Sequence, residues 1–254
     1  MINGDLSLLL NYVKYDRDLR LEVRTNGDAF VYYRKGVALK IKSLSIDSKY
    51  GYVSPSPFNK NFIKENPSEY FRLAQASIDS WLEAKGRGEF DTQQRIARDN
   101  QDIDDKYIIL DMEYAFEQNQ IEAKDREKRA IFDLLGIERK TNRIVFFEVK
   151  KGMGATKGKS GIEEHIADFN NYLGINSPKI YLDNLIRDIK NIISDKTELG
   201  ILNNYSLPEN FGKQNPELVF VFQPDNPSQI QRFKDELKDR HSLIIVSDSN
   251  FKLK

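Results

Sequence analysis

Two apolar runs, RAIFDLLGIER (129–139) and NRIVFFEVKKG (142–152), follow one another with only Lys140 and Thr141 between them. Runs this short, with Ile, Val, Leu and Phe at both odd and even positions, suit strands covered on both faces. The brief polar break between them favours an antiparallel hairpin. A turn centred on Lys140-Thr141 sets Ile137 opposite Ile144 and Leu135 opposite Phe146. The same register sets Asp133 opposite Glu148, with Lys150 two residues on and projecting from the same side. Two carboxylates then meet at roughly 5 Å inside a sheet. At an effective dielectric of about 20 they repel by about 3 kcal/mol, and desolvation adds to that. A fold that keeps such a pair needs compensating charge. Lys150 can neutralise one carboxylate, and a divalent cation can neutralise both. An Asp/Glu/Lys ionic knot without metal is the other reading, and a one-residue slip in register would separate the pair.

Composition narrows what could sit there. The chain of 254 residues has no cysteine and two histidines, His165 and His241. Thiolate catalysis, disulfides and Cys-based zinc sites are excluded, and a metal would rest on oxygen ligands, which suits Mg²⁺ or Mn²⁺. Lys plus Arg and Asp plus Glu are balanced at 39 each, so any nucleic-acid surface is local rather than global.

Along the chain, LRLEVRTNGDAFVYYRKGVALKIKSL (19–44) reads as a small antiparallel β meander, with turns at Asn26-Gly27 and Lys35-Gly36. SPSPFNKNFIKENP (54–67) reads as a loop. In SEYFRLAQASIDSWLEAKGRG (68–88), Phe71, Ala74, Ile78, Trp81 and Leu82 fall at helical spacing, with Gly86 as a stop. DTQQRIARDNQ (91–101) reads as a short helix capped by Asp91. KYIILDMEYAF (106–116) precedes the hairpin as a third strand. After it come helices over 161–174 and 178–194, then strands ELVFVFQP and HSLIIVSD with a helix between them. The expected class is α/β (α+β): a mixed central sheet flanked by helices, with an N-terminal meander. The expected division is a β-rich accessory region over 1–60 and a core over 61–254.

The segment GMGATKGKSG after the hairpin resembles a phosphate-binding loop but fails on spacing. A loop ending Gly158-Lys159-Ser160 requires Gly at 153, where Met153 stands between Gly152 and Gly154. A nucleotide-binding ATPase is therefore the weakest alternative. A mobile surface loop is the plain reading, and Lys151, Lys157 and Lys159 touching the phosphates of a polymer is the functional one.

Asp133, then Glu148-Val149-Lys150, then a helix from Gly161: this layout resembles the PD-(D/E)XK nuclease superfamily, over roughly residues 101–225. The family's Pro before the Asp is replaced here by Phe132. The resemblance implies a restriction-endonuclease-like core that hydrolyses phosphodiester bonds, most simply in DNA. It implies Mg²⁺ or Mn²⁺ bound by Asp133, Glu148 and the Val149 carbonyl, with Lys150 positioning water or stabilising charge on phosphorus. The family's further upstream acid is matched by Glu113, whose face Asp111 shares; Gln93, Gln94 and Glu69 are weaker candidates. Tyr172, in Asp168-Phe-Asn-Asn-Tyr172, either lines a groove or belongs to the core, and His165 reads as a boundary residue rather than a general base. YYRKG in the meander combines aromatic and basic side chains that could touch nucleic acid. A catalytically silent binding or assembly protein on the same fold is the main alternative. The oligomeric state stays open, and a homodimer is suggested only by analogy with double-strand cutters. The N-terminal run is a poor signal peptide and no stretch reaches eighteen apolar residues, so a cytoplasmic protein without membrane spans is expected.

Overall fold

A computed structural model describes residues 4–24, 27–34, 36–47, 60–85, 88–102, 104–115, 131–158, 161–174, 179–202 and 205–254. The chain divides into two compact units, Met1–Gln94 with Asn191–Tyr205, and Arg95–Lys190 with Ser206–Lys254. The described residues form seven α-helices, a three-stranded antiparallel sheet and a five-stranded mixed sheet.

In the first unit, β1 (Leu19–Val23), β2 (Ala29–Tyr33) and β3 (Gly36–Lys40) form the expected meander in the order β1-β2-β3. Tyr33 pairs with Gly36, and Arg34 takes a positive φ of 47°. Asn26 and Lys35 lie outside the described residues. Leu21, Val31 and Leu39 of the sheet share a core with Leu9, Leu10 and Val13 of α1 (Ser7–Tyr15). Tyr70, Phe71, Ala74, Ile78 and Leu82 of α3 (Pro67–Lys85) complete it, as their helical spacing requires. That packing puts α3 in the same unit as the meander, so the compact division falls elsewhere than the boundary expected at residue 60. The expected loop over 54–67 contains a short helix, α2 (Lys60–Glu65), whose Ile63 is buried. Of YYRKG, Tyr32 and Tyr33 are buried, and Arg34 pairs with Asp79 at 2.7 Å.

The second unit is built on β4 (Tyr107–Ala115), β5 (Ile131–Glu138), β6 (Arg143–Lys151), β7 (Glu217–Gln223) and β8 (Ser242–Ile245), in that spatial order. The first three are antiparallel, and β6, β7 and β8 run parallel. Interior strands of such a sheet are covered on both faces, and Ile144 to Lys150 are all buried. The β5–β6 register is the one the hairpin implied, from Glu138↔Arg143 to Leu134↔Phe147. Gly136 admits a close approach of β4: a Cβ there would stand 2.7 Å from the Ile108 carbonyl oxygen. The β4–β5 register shifts next to that contact, between Ile109 and Asp111. Phe169 of α5 (Ile162–Tyr172) meets Phe146, and Phe233 of α7 (Ser228–Leu237) stacks on Phe222. The two remaining helices, α4 (Glu89–Asp99) and α6 (Lys179–Glu198), each contribute residues to both units. Asp91 lies inside the first turn of α4 rather than at its cap. Among the described residues no helix is long and apolar enough to cross a membrane.

Candidate active site

Strand β6 delivers Glu148 and Lys150 to one face, two residues apart, and the covered sheet buries both side chains to 1% exposure. Lys150 Nζ donates to Glu148 Oε1 at 2.8 Å. Helix α5 docks through Ile162, Ile166 and Phe169, all buried. That docking brings His165 to the pair, its Nε2 lying 2.9 Å from Glu148 Oε1 and 3.3 Å from Lys150 Nζ. A single ring nitrogen cannot both donate to the carboxylate and accept from the ammonium. The shorter, charge-assisted contact assigns the Nε2 proton to Glu148. Glu148 Oε1 therefore takes two donors. Glu148 Oε2 is also buried and has no hydrogen-bond partner.

The β5–β6 pairing ends at Leu134↔Phe147, one position short of Asp133 and Glu148. There the Asp133 carboxylate accepts the Val149 N–H at 2.7 Å. On the other side, Met112↔Leu134 and Tyr114↔Phe132 bracket Glu113 opposite Asp133. Glu113 reaches that position with a φ of 55°, a conformation unusual for a residue with a side chain. Glu113, Asp133 and Glu148 thus come from three adjacent strands.

Their electrostatics separate two of them. Burial pushes the Asp133 carboxyl well above the usual range, and the charges of Glu148 and Glu113 push it further; Lys150 and the Val149 N–H only partly offset this. Burial also pushes Glu148 up, but the His165 hydrogen bond and the Lys150 charge outweigh it, and Glu148 ends below its ordinary value. Neighbouring carboxylates held apart in this way share one proton more easily than they carry two charges.

The other expected residues divide. Lys151 ends β6 partly exposed, and Lys157 lies exposed in the following loop; Lys159 lies outside the described residues. Three backbone amides here are already used, the N–H groups of Gly152, Gly161 and Ile162 donating to the carbonyls of Gln223, Gly158 and Thr156. Gly152 has a φ of 62°, and a Cβ there would fall 2.3 Å from Asp225 Oδ2, so a carboxylate stands where a phosphate cradle would need a cation. Asp111 is fully buried and its Oδ1 accepts the Met112 N–H. Gln93, Gln94 and Glu69 belong to the first unit, where Gln94 donates to the Asp18 carbonyl and Glu69 pairs with Arg72. Tyr172 is a core residue, buried against Tyr181. His165 sits at the boundary, 16% exposed, as read from the sequence, but its contact with Glu148 was not foreseen. Its one signal was scarcity, as one of two histidines on a helix following the Glu-x-Lys strand.

An oxygen-only donor set with an unsatisfied buried carboxylate oxygen fits a hard divalent cation. Against that, among the described residues no three His, Cys, Asp or Glu side chains are gathered closely enough to form a ready metal cluster. Comparison with known proteins returned no family model, no curated protein and no solved structure that matches this chain.

Proposed function

We propose that this chain is a metal-dependent nuclease that hydrolyses phosphodiester bonds in DNA, on a core of the restriction-endonuclease type. The observation that carries the reading is the buried Glu148, with Lys150 on one oxygen and nothing on the other, beside Asp133, whose carboxylate holds the Val149 N–H from the neighbouring strand. Leaving a buried carboxylate oxygen unsatisfied costs on the order of 1–3 kcal/mol, a cost that folds retain where function needs the group.

Asp133, Glu148 and Glu113, with the Val149 carbonyl, would hold Mg²⁺ or Mn²⁺. When bound, such an ion supplies Lewis acidity toward the phosphoryl oxygens and lowers the pKa of water. The chain's own residues supply the rest. The Val149 N–H fixes the Asp133 carboxylate, and Glu148 accepts from Lys150 Nζ and so fixes its position inside the sheet. Lys150 can then donate to the attacking water or to the phosphoryl oxygens as negative charge builds on phosphorus. Lys151 and Lys157, with Lys159, offer charge to the flanking phosphates. The attacking water adds to phosphorus, the bond to the leaving sugar oxygen breaks, and that oxygen takes up a proton.

A second reading has its own support: Lys150 and His165 already satisfy Glu148 Oε1, and no ready cluster of three ligands is present among the described residues. In that case the group is an ionic knot in a binding or assembly protein. Supercoiled plasmid and single-stranded circular DNA, incubated with Mg²⁺, Mn²⁺ or EDTA, separate the readings. Metal-dependent cutting by the wild type, lost in folded Asp133→Ala and Lys150→Ala, supports the nuclease. Absence of cutting together with absence of Mn²⁺ binding by calorimetry leaves the knot.

A further inference from the structure

Resting on the nuclease reading, we propose that His165 is a positioning residue for metal binding. By donating to Oε1 of Glu148 alongside Lys150, it reserves Oε2 as the oxygen that a divalent cation takes.

The inference rests on how the two oxygens of Glu148 are used. Oε1 receives Lys150 Nζ at 2.8 Å and His165 Nε2 at 2.9 Å, and Oε2 receives nothing although it is equally enclosed. Two donors on two oxygens would be the ordinary way to satisfy a buried carboxylate. Both fall on one because Lys150 comes from the same strand and His165 from α5, whose rotation is set by Ile162, Ile166 and Phe169 in the core. His165 is 16% exposed, so it links the buried carboxylate to the rim of the site. A ligand carboxylate with one oxygen tied to fixed donors is held in orientation, and loss of such a partner typically costs 10–100-fold in metal affinity. His165 itself needs to touch neither metal nor substrate.

The test is calorimetric titration with Mn²⁺ alone, without DNA, of the wild type, His165→Ala and His165→Gln, each checked by thermal melting. His165→Ala is expected to bind Mn²⁺ at least about tenfold more weakly, in line with loss of an orienting partner. His165→Gln, which keeps a side-chain N–H donor, is expected to recover most of that loss. If His165→Ala does not fold, His165→Phe, which keeps a ring without the donor, is expected to show the same weakening. Wild-type affinity in the folded Ala or Phe variant would overturn the positioning role while leaving the nuclease reading standing. Equal weakening in the Gln variant would also overturn it, because the donor would not be what matters. A wild-type protein that binds no Mn²⁺ would remove both readings together.

Discussion

Each compact unit buries a glutamate among cations, and the two glutamates are treated differently. In the first unit Glu22 is fully buried with both oxygens taken, Oε1 by Arg20 and Oε2 by Lys196. In the second, Glu148 is buried to 1% exposure with both donors on Oε1 and none on Oε2, and a second carboxylate, Asp133, binds the N–H of the next residue, Val149. Burial alone thus does not mark a functional carboxylate; the distribution of its partners does. Glu22 has the pattern of a structural ion cluster. Under the proposed function, Glu148 has the pattern of a ligand.

The shifts in proton affinity carry the same contrast. Burial pushes Glu22 up, yet the charges of Arg20 and Lys196 bring it below its ordinary value. Lys196 must share that single carboxylate with Arg20, so burial prevails there and lowers it from 10.5 to about 8. In the second unit the strain falls on Asp133, which is pushed well above the usual carboxylate range.

Four outcomes would sharpen or break this contrast, from the largest effect down. Lys150→Ala, with the fold retained, is expected to lower Mg²⁺-dependent DNA cleavage by a factor on the order of 10²–10³, whereas Lys196→Ala at the structural cluster leaves the cleavage rate of the folded protein unchanged. Initial rates on supercoiled plasmid read both, and equal losses would erase the distinction. Glu22→Gln strands two buried cations and is expected to cost about 4 kcal/mol in urea unfolding. A loss below about 1 kcal/mol would mean the first cluster is not structural.

Stability against pH tests the same cluster. Unfolded, Lys196 keeps its proton up to about 10.5, and folded it releases the proton near 8. Between those values the unfolded chain binds more protons, so stability is expected to rise with pH, by at most about 3 kcal/mol. Lys196→Met should flatten that rise in urea melts between pH 8 and pH 10. The smallest effect has the opposite sign to the Glu22 substitution. Asp133 is raised above its unfolded value, so ionising it at neutral pH works against the fold. Asp133→Asn keeps an acceptor for the Val149 N–H and is expected to gain about 1 kcal/mol at pH 7 while abolishing cleavage, the usual exchange at a functional site. A destabilised Asp133→Asn would place Asp133 with Glu22 among the structural groups.

Much of the second unit was legible in the sequence. The strands of the hairpin announce themselves by apolar runs, and a short polar turn with apolar residues on both sides admits few registers. That is why Ile137↔Ile144 and Leu135↔Phe146 follow from the chain alone. Glu113 was legible only in part. Its residue type and strand were readable, but its place opposite Asp133 depends on the register shift after Ile109 and on its own positive φ. Neither leaves a pattern in a run such as YIILDMEYA. The loop reading of 54–67 failed in part because Pro and Asn, common in loops, also flank short helices such as α2.

By itself the sequence determined the strands, the hairpin register and therefore the meeting of Asp133 with the Glu148-Val149-Lys150 strand. It also excluded thiolate chemistry, since the chain has no cysteine. The tertiary structure alone decided that His165 turns toward Glu148, that α3 packs on the meander, and that Lys196 reaches Glu22 across 174 residues of chain. The physical reason is range. Strand pairing across a short turn is a local geometry of period two. The rotation of a helix on a sheet, and the partner of a buried charge, are set by packing between segments that no sequence period connects.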